Sequence, residues 1–435
     1  MALTGTRTFV GFGFGAIQAG LFLYEAFASG NFKRLVVAEV VPDIVDAVRR
    51  AGGHFSVNIA SEDGVEACEV GPIEILDPAV AADREALLEA IAGADEIGTA
   101  VPSVTYYSTG GPASIDKLLA EGLRRRSAEA DALSIVYAAE NNNEAAEILS
   151  SHVLGNLPAD DKDRVTQRVQ FLNTVVGKMS GVIEVDDGDA ANLHPVTPGG
   201  ARAFLVEEFN QILISRVGFA MHFARGISVF EEKDDLLPFE EAKLYGHNAT
   251  HALAAYVAAV LGLEKIADLR DVRGAVAFLR AAFIEESGAA LVRKYDGLDS
   301  LFTWDGYRQY AGGLLERMTN PYLRDSVERV GRDPARKLGW DDRLIGTIRL
   351  ALSQGIQPRR YALGAAAAVV ELDRTLADQG AAASVLGSIW NGSVGSSGDR
   401  NEVLSLVDTG LNRLRAWRAR GCGDLELLFH RDDEF

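Results

Sequence analysis

The stretch RTFVGFGFGAIQAGLFLYEAFASGN, residues 7–31, begins with an apolar run and passes through three glycines into a segment with helical spacing. The apolar run is short and rich in β-preferring residues, so it predicts a buried strand that enters a tight turn. The next segment, KRLVVAEV (33–40), predicts a second strand with Glu39 at its end. Strand, glycine turn, helix, strand and acid, in this order, form the mononucleotide-binding βαβ unit. We therefore predict an N-terminal Rossmann-type domain.

The glycines of this turn would let the backbone approach a pyrophosphate at the N-terminus of the helix. Glu39 would accept hydrogen bonds from the adenosine ribose, and its charge would repel a 2′-phosphate, which favours NAD over NADP. Two registers fit, one with Gly11 and Gly13 and one with Gly13 and Gly15, and the second places Gln18 at the third glycine position. A turn that serves packing alone is the alternative. The predicted cofactor contacts are Gly13, Gly15, Ala16, Ile17, Glu39 and Val101.

Helices and strands continue to alternate up to about residue 180. The segment 85–101 predicts a helix followed by a strand that ends near Val101, and ALSIVYAAEN (132–141) predicts a strand that ends at Asn141. Ligands collect at such strand ends, so Asn141 is a candidate site residue. The alternative is a cap for the helix that follows. Beyond it, IEVDDGDAANLHPVTPGG (183–200) is rich in Asp, Gly and Pro, and it lacks the spacing and the closing Glu of a calcium loop. We interpret it as a solvated linker and predict domains at 1–195 and 196–435, the second mainly α-helical.

Composition and charge argue against several classes of partner. The chain has 435 residues, an apolar fraction of 48% and a net charge of −19, which disfavours nucleic acid and anionic membranes. The uncharged segment 9–24 is shorter than the roughly 20 residues that cross a bilayer. Cys68 and Cys422 have no metal-binding spacing and suit two free thiols in a reducing cytoplasm. We therefore expect a cytoplasmic protein without a metal site.

A second polar pattern lies in KLYGHNATH, residues 243–251, which precedes a plainly apolar helix. On a wheel of about 100° per residue, Lys243, His247, His251 and Asn248 fall within an arc of about 140°. Burial lowers the pKa of a lysine, so Lys243 could act as a base, while amide and imidazole N–H groups could hold an alcohol oxygen. With a nicotinamide nearby, this chemistry is alcohol oxidation without zinc. The alternative is a solvated polar face with a satisfied histidine.

At these residues the chain resembles the polyol-specific long-chain dehydrogenases, and it is most similar to their mannitol-1-phosphate 5-dehydrogenase branch. The resemblance runs from GFGAIQAGLF to about residue 370. The family signature Lys-x4-Asn-x2-His is matched by Lys243, Asn248 and His251. The most specific matches are EESGAALVRKY (285–295) and NPYLRDSVERVGRDPARKLGWDDRLIG (320–346), and AAEN matches the strand-end asparagine of the family. The spacing from Gly13 to Glu39 also agrees with the family.

The resemblance implies NAD-linked, metal-independent hydride transfer between a polyol and a ketose. It implies that Lys243 is the base in oxidation and the acid in reduction. Asn141 and Asn248 would stabilise the oxyanion, and His251 would orient the substrate. The substrate-binding Arg and Lys of the family, eight residues apart, match Arg329 and Lys337. His247 stands where the branch has an apolar residue, so it either touches the substrate or only packs.

The segment RVGRDPARKL (329–338) suggests a phosphorylated substrate, because it brings four cations together in an acidic protein. These cations are Arg329, Arg332, Arg336 and Lys337. We expect mannitol 1-phosphate as substrate and fructose 6-phosphate as product. The alternative for the cations is a set of surface salt bridges to Asp325, Glu328, Asp333 and Asp341. The alternative substrates are a free polyol or a sugar acid, such as mannitol, arabinitol or mannonate, and the alternative of another class is a non-catalytic NAD-binding sensor. The segments 61–85 and 380–435 exceed the short members of the branch, and the sequence leaves monomer and dimer open.

Overall fold

The structure is a computed structural model that describes residues 5–129, 132–185, 192–392, 395–425 and 427–430. It consists of two compact units, Met1–Leu237 and Pro238–Phe435. The aspartates of the predicted linker, at 186–189, lie outside the described residues. The prediction that this segment is a solvated linker and not a calcium loop therefore stays a prediction. None of the helices in the described ranges combines the length and the apolarity needed to cross a bilayer.

The first unit contains two sheets. Its strands are β1 (Arg7–Phe12), β2 (Phe32–Ala38), β3 (Phe55–Ala60), β4 (Val65–Val70), β5 (Glu74–Leu76), β6 (Glu96–Thr99), β7 (Ser134–Ala138), β8 (Val169–Val175), β9 (Ser180–Glu184), β10 (Arg202–Glu207), β11 (Leu213–Ser215) and β12 (Glu231–Lys233). The larger sheet has the order β12-β11-β8-β7-β6-β1-β2-β5, and it is parallel from β8 to β5. The smaller sheet has the order β4-β3-β10-β9.

Helices cover both faces of the larger sheet, which explains why β1 is apolar at successive positions. Phe9 belongs to the core on one face and Val10 to the core on the other, as the alternation of side chains along a strand requires. The helices are α1 (Tyr24–Ser29), α2 (Pro42–Arg50), α3 (Ala81–Ala92), α4 (Ile115–Arg126), α5 (Ala145–Gly155) and α6 (Ala159–Arg168), with a π-helical turn at Gln18–Leu23 and 3-10 turns at Val104–Ser108 and Gly111–Ala113. The Rossmann-type prediction is confirmed.

The order of the strands fixes where a ligand would bind. From the central strand β1, the chain first builds outward through β2 and β5, and then returns to add β6, β7 and β8 on the opposite side. Such a reversal opens a crevice beyond the carboxyl ends of the two neighbouring strands. Gly13 follows β1 and Val101 follows β6, so these two of the six predicted cofactor residues lie at this reversal.

The division between the units comes later than the predicted boundary at 195/196. Strands β10, β11 and β12 all hydrogen-bond into sheets of the first unit, β10 to β3 and β9, and β11 to β8 and β12. The segment 196–237 is therefore part of the first unit, and the prediction that it opens a mainly helical domain does not match the structure. These pairings join residues distant in sequence, such as Phe204 with Val57, and sequence periodicity does not reveal them.

From Leu237 onward the described chain is helical. The helices are α7 (Leu237–Glu241), α8 (Ala249–Val260), α9 (Ala275–Ala281), α10 (Ala289–Lys294), α11 (Trp304–Met318), α12 (Val327–Gly331), α13 (Pro334–Lys337), α14 (Ile345–Ser353), α15 (Arg359–Leu372), α16 (Ala383–Ile389), α17 (Ser397–Ala419) and α18 (Leu427–His430). Ala242–Asn248 and Ala282–Gly288 are π-helical, and 3-10 turns lie at Ile266–Asp271, Ser300–Phe302, Pro321–Leu323 and Arg374–Ala377. The prediction of a mainly helical second domain is confirmed.

The core of the second unit depends on close approach between α8, α15 and α17. A Cβ on Gly364 would lie 2.5 Å from the Leu253 side chain on α8, and a Cβ on Gly410 would lie 2.5 Å from the Ala362 carbonyl oxygen. Glycine at both positions lets the helices pack without a gap. The segment beyond residue 380 thus contributes α17 to this core, and the segment 61–85 supplies β4, β5 and the start of α3.

Candidate active site

The turn after β1 has the geometry of a dinucleotide-binding loop. Gly13 adopts a positive φ of 81°, its N–H donates to the Ala38 carbonyl at 2.9 Å, and an added Cβ would lie 3.0 Å from the Ala100 carbonyl oxygen. Only glycine suits this position. At Gly15 an added Cβ would meet no atom within 4 Å, so this backbone is open to a ligand. The helix begins directly after Gly15, and the N–H groups of its first turn, including those of Ala16 and Ile17, have no carbonyl within the helix to bond. A pyrophosphate fits these residues.

Gln18 explains the unusual third position of the glycine motif. Its side chain is fully buried against β1, where a Cβ on Gly11 would lie 2.1 Å from the Gln18 Nε2. The missing side chain of Gly11 therefore makes room for the Gln18 amide between the helix and the strand. Neither amide atom has a hydrogen-bond partner among the described residues. Because Gly11 serves this packing, the register that uses Gly13 and Gly15 for the cofactor is favoured.

Glu39 connects the end of β2 to the glycine turn. Glu39 is only 7% exposed, and its Oε2 accepts a hydrogen bond from the Phe14 N–H at 2.8 Å. Its Oε1 accepts from the N–H groups of Val40 and Val41 at 2.7 and 2.9 Å. Since each carboxylate oxygen can accept two hydrogen bonds, Oε2 keeps one site for a ribose hydroxyl. The carboxylate is fixed in position by these backbone donors.

Glu140, a buried acid that was not among the predicted site residues, joins the ends of β6 and β7. Glu140 accepts hydrogen bonds from the Val101 N–H and the Thr99 hydroxyl, each at 3.0 Å, and from the Tyr107 hydroxyl. Burial raises the pKa of Glu140. The following residue, Asn141, is exposed, and no hydrogen bond of its side chain to the described residues is seen. The N-cap of α5 is Glu144, so Asn141 is not the helix cap that local sequence offered as an alternative.

The helix that carries Lys243, Asn248 and His251 is not a regular α-helix over its first part. Ala242–Asn248 forms a π-helical turn between α7 and α8. In a π-helix the hydrogen bonds run from residue i to residue i+5, which brings side chains five apart toward the same face. Lys243 and Asn248 are five apart, so the angle between them is smaller than the 140° expected from an α-helical wheel. Such turns are uncommon and occur frequently at functional sites.

The environment of the Lys243 amine would suit a general base. The side chain is half-buried, and no hydrogen bond or ion pair joins its amine to the described residues. Burial lowers the pKa of Lys243 to about 8, with a further contribution from the positive charge of Arg343 and an opposing one from Glu240. A lysine with this pKa is partly neutral at mildly alkaline pH and can accept a proton.

Two histidines follow on the same helix. The His247 and His251 rings lie 6.1 Å apart between centroids. His247 is 5% exposed, its Nδ1 is buried without a partner in the described chain, and its pKa is held well below the usual value by burial and by the nearby His251. The Nε2 of His251 lies 2.9 Å from the Asp325 Oδ2, although the N–H direction deviates from the line between these two atoms. Burial alone would raise the pKa of Asp325, but His251 and Arg329 keep it below the usual value.

The four predicted substrate cations have different environments. Arg329 donates to the Asp325 carboxylate through Nε at 2.9 Å and also through Nη2, and Arg336 lies 3.2 Å from the Asp333 carboxylate. Arg332 is exposed. Lys337 is 4% exposed, and burial, together with Arg343 and Arg336, lowers its pKa to about 8. The salt-bridge alternative therefore describes Arg329 and Arg336, whereas Lys337 has no carboxylate partner within the described ranges.

Arg343 was missed in the sequence reading, although it lies in the quoted segment GWDDRLIG. Its Nε donates to the Asp342 carboxylate at 2.8 Å, and its side chain is 13% exposed. Its charge acts on Lys243, on His247 and on Lys337, so all four belong to one electrostatic cluster. The only sequence feature that could have pointed to Arg343 is its position, six residues after Lys337 and within the segment 320–346 that closely resembles the family. Among the residues that can be described, no group of His, Cys, Asp and Glu is arranged to hold a metal ion.

Comparisons with known proteins agree with both units. Residues 7–221 match the mannitol dehydrogenase Rossmann domain, and residues 235–402 match the mannitol dehydrogenase C-terminal domain. The chain is similar to mannitol 2-dehydrogenase of Pseudomonas fluorescens, whose structure is a ternary complex with NAD and D-mannitol. The identity is 16%, the match covers 100% of this chain and 96% of that one, and the TM-score is 0.70. A substrate-free D-sorbitol dehydrogenase matches at 15% identity over 96% of this chain and 94% of that one, with a TM-score of 0.72. At these identities the two structures support the fold.

Proposed function

The chain belongs to the mannitol dehydrogenase family, and from this premise we propose that it interconverts an acyclic polyol and the corresponding ketose by NAD-dependent hydride transfer. It is an NAD-dependent oxidoreductase that acts on a CH–OH group. The observation that carries the proposal is the Lys243 amine, which has no ionic partner in the described chain and a pKa lowered to about 8. It lies on one helix with Asn248 and His251, as the family signature requires.

The roles of the residues follow from their chemistry. NAD, when bound, supplies the hydride acceptor. The Gly13–Gly15 turn would hold its pyrophosphate, and Glu39 would accept from its ribose. Lys243 would take the proton of the reacting hydroxyl, while the Asn248 amide would donate to the oxygen as it becomes alkoxide-like. An oxyanion role for Asn141 and a substrate-orienting role for His251 are part of the same proposal.

The pairing of the cations at 329–337 favours a free polyol as the substrate. Arg329 and Arg336 already have carboxylate partners, so two of the four charges that suggested a phosphate are neutralised within the protein. The two similar proteins also act on or are named for unphosphorylated polyols, mannitol and sorbitol. A screen that follows NADH formation with mannitol, sorbitol, arabinitol, mannonate and mannitol 1-phosphate tests this proposal. We expect the highest kcat/KM with a free polyol, and turnover of mannonate alone would contradict it.

A phosphorylated polyol is the second candidate, and Lys337 is the observation that favours it. A lysine that is 4% exposed and lacks a carboxylate partner in the described chain would be stabilised by a bound anion. If mannitol 1-phosphate is a substrate, Lys337→Met should raise its KM by about tenfold or more, and that of free mannitol by much less. Lys117→Met, at an exposed lysine on α4 of the first unit, is the control. An equal effect on both substrates would remove the phosphate assignment.

The same substrate screen distinguishes a dehydrogenase from a non-catalytic NAD-binding sensor. Such a protein would bind NADH with a measurable dissociation constant and turn over none of the substrates. The amine of Lys243 argues against a sensor, because a half-buried amine that is desolvated and has no ionic partner in the described chain suits proton transfer.

A further inference from the structure

Asp325 has a buried carboxylate that the reaction described above does not use. It is 5% exposed, its Oδ2 lies 2.9 Å from the His251 Nε2, and its Oδ1 accepts from Arg329. We propose that Asp325 is a positioning residue that holds the His251 ring with Nε2 toward the carboxylate and leaves Nδ1 for a hydroxyl of the substrate. This inference rests on the proposed function, in which His251 orients the polyol.

The short distance favours a proton on the Nε2 of His251. Two buried acceptor atoms at 2.9 Å would repel each other, because a lone pair of the ring would face an ionised carboxylate. The contact is favourable only if Nε2 carries a hydrogen. In the neutral ring, Nδ1 is then the acceptor. A carboxylate that fixes the tautomer and the orientation of a histidine in this way is a recurring device in enzymes.

The carboxylate is itself held in position. Arg329 occupies Oδ1 with two N–H groups, which leaves Oδ2 directed at His251. The backbone on both sides is anchored, since the Ile266 N–H donates to the Asp325 carbonyl and the Val327 N–H donates to the Glu264 carbonyl, each at 2.9 Å. A group positioned by so many contacts can transmit its position to its neighbour.

The helix that carries His251 is tied to the same region. On α8, the Tyr256 hydroxyl donates to the Gly331 carbonyl at 2.9 Å, at the end of α12. Arg329 lies on α12, and Asp325 lies just before it. The histidine and its carboxylate therefore belong to elements that are bonded to each other, so their separation is a fixed feature of the second unit. In this arrangement Arg329 acts on Asp325 and, through it, on the His251 ring.

The simpler alternative is an ion pair that only stabilises the fold. A double-mutant cycle with Asp325→Asn and His251→Ala distinguishes the two, because a residue that acts through His251 has nothing to act on once the imidazole is gone. We expect Asp325→Asn to lower kcat by about 100-fold in the wild-type background, in line with the cost of misplacing a reacting group by about 1 Å. In the His251→Ala background the same change should cost less than about twofold. NADH affinity should be unchanged in both backgrounds.

The matched control is Asp305→Asn. Asp305 pairs with Arg308, three residues after it, as Asp325 pairs with Arg329, four residues after it, but Asp305 is almost fully exposed, and no contact with a histidine is seen in the described chain. It should leave kcat unchanged. If Asp325→Asn lowers kcat by the same factor with and without His251, the positioning role is wrong and the pair is structural.

A second readout requires neither turnover nor an Asp325 variant. In wild-type protein with ¹⁵N-labelled histidine, NMR should show His251 as the Nε2–H tautomer, with the signals assigned by their loss in His251→Ala. A Nδ1–H tautomer would overturn the proposal. Wild-type protein that turns over no polyol would instead refute the proposed function, and the NMR result would still decide the contact between Asp325 and His251.

Discussion

The pH dependence of polyol oxidation should report the pKa of Lys243. With a pKa of about 8, the neutral fraction of the amine is about 1% at pH 6 and about 50% at pH 8. The value of kcat/KM for oxidation should therefore rise roughly 50-fold between pH 6 and 8 and only about twofold more above pH 8, since a base must be neutral to accept a proton. A lysine with the ordinary pKa of 10.5 would be only about 0.3% neutral at pH 8. The rate of an enzyme that used such a lysine as base would continue to rise about tenfold per pH unit up to pH 10. Ketose reduction, which needs the ammonium, should decline above pH 8.

Arg343 offers a way to move this profile. Its positive charge contributes to the low pKa of Lys243, so Arg343→Met should shift the midpoint of the oxidation profile to higher pH. Arg308→Met is the control, because Arg308 is exposed and is absent from the groups that act on Lys243. The assay is initial-rate NADH formation in buffers of constant ionic strength. A profile that is flat from pH 6 to 9, or one that rises without a plateau to pH 10, would refute the assignment of Lys243 as a desolvated base.

Two further predictions concern the cofactor. Gly13→Ala should weaken NADH binding by at least about tenfold, because a side chain is strained at a φ of 81° and the new Cβ would lie 3.0 Å from the Ala100 carbonyl oxygen. Fluorescence titration measures the NADH affinity, and an unchanged affinity would mean that the turn does not hold the cofactor. Glu39→Ala should reduce the preference for NAD over NADP, since the carboxylate that would repel a 2′-phosphate is removed. The ratio of kcat/KM for the two cofactors tests it, and a constant ratio would assign the ribose to another residue.

Local sequence was sufficient for β1, β2, β6 and β7 of the Rossmann-type unit, whereas β3, β4 and β5 were not predicted. The apolar runs, the glycine turn and the acid at Glu39 are close together in the chain, and each has a physical signature that can be read from a few residues. The later strands β10 to β12 were not predicted, because their partners are remote in sequence. Phe204 pairs with Val57, and no pattern in either segment specifies the other.

In the second unit, the sequence predicted candidate residues but not their local geometry. The signature found Lys243, Asn248 and His251, but helical spacing assumed an α-helix, and the structure has a π-helical turn at Ala242–Asn248. A π-helical turn is set by tertiary packing. A Cβ on Gly246 would lie 2.5 Å from the buried Tyr307 hydroxyl, a contact that no local rule predicts.

Charge patterns were the least informative part of the sequence. The run from Arg329 to Lys337 suggested a phosphate site, but the sequence does not show which cations have partners. In the structure Arg329 is bound to Asp325, four residues before it, whereas Lys337 is buried without a carboxylate partner in the described chain. The difference depends on burial and on side-chain direction, which are properties of the folded chain.

The central claim is that the Lys243 amine performs the proton transfer, and Lys243→Ala tests it most directly. Turnover of the best polyol should fall by about 10²- to 10⁴-fold, the usual contribution of a general base, while the dissociation constant for NADH and the melting temperature remain close to those of the wild type. A Lys243→Ala enzyme that oxidises its polyol within a few-fold of the wild-type rate would contradict the account.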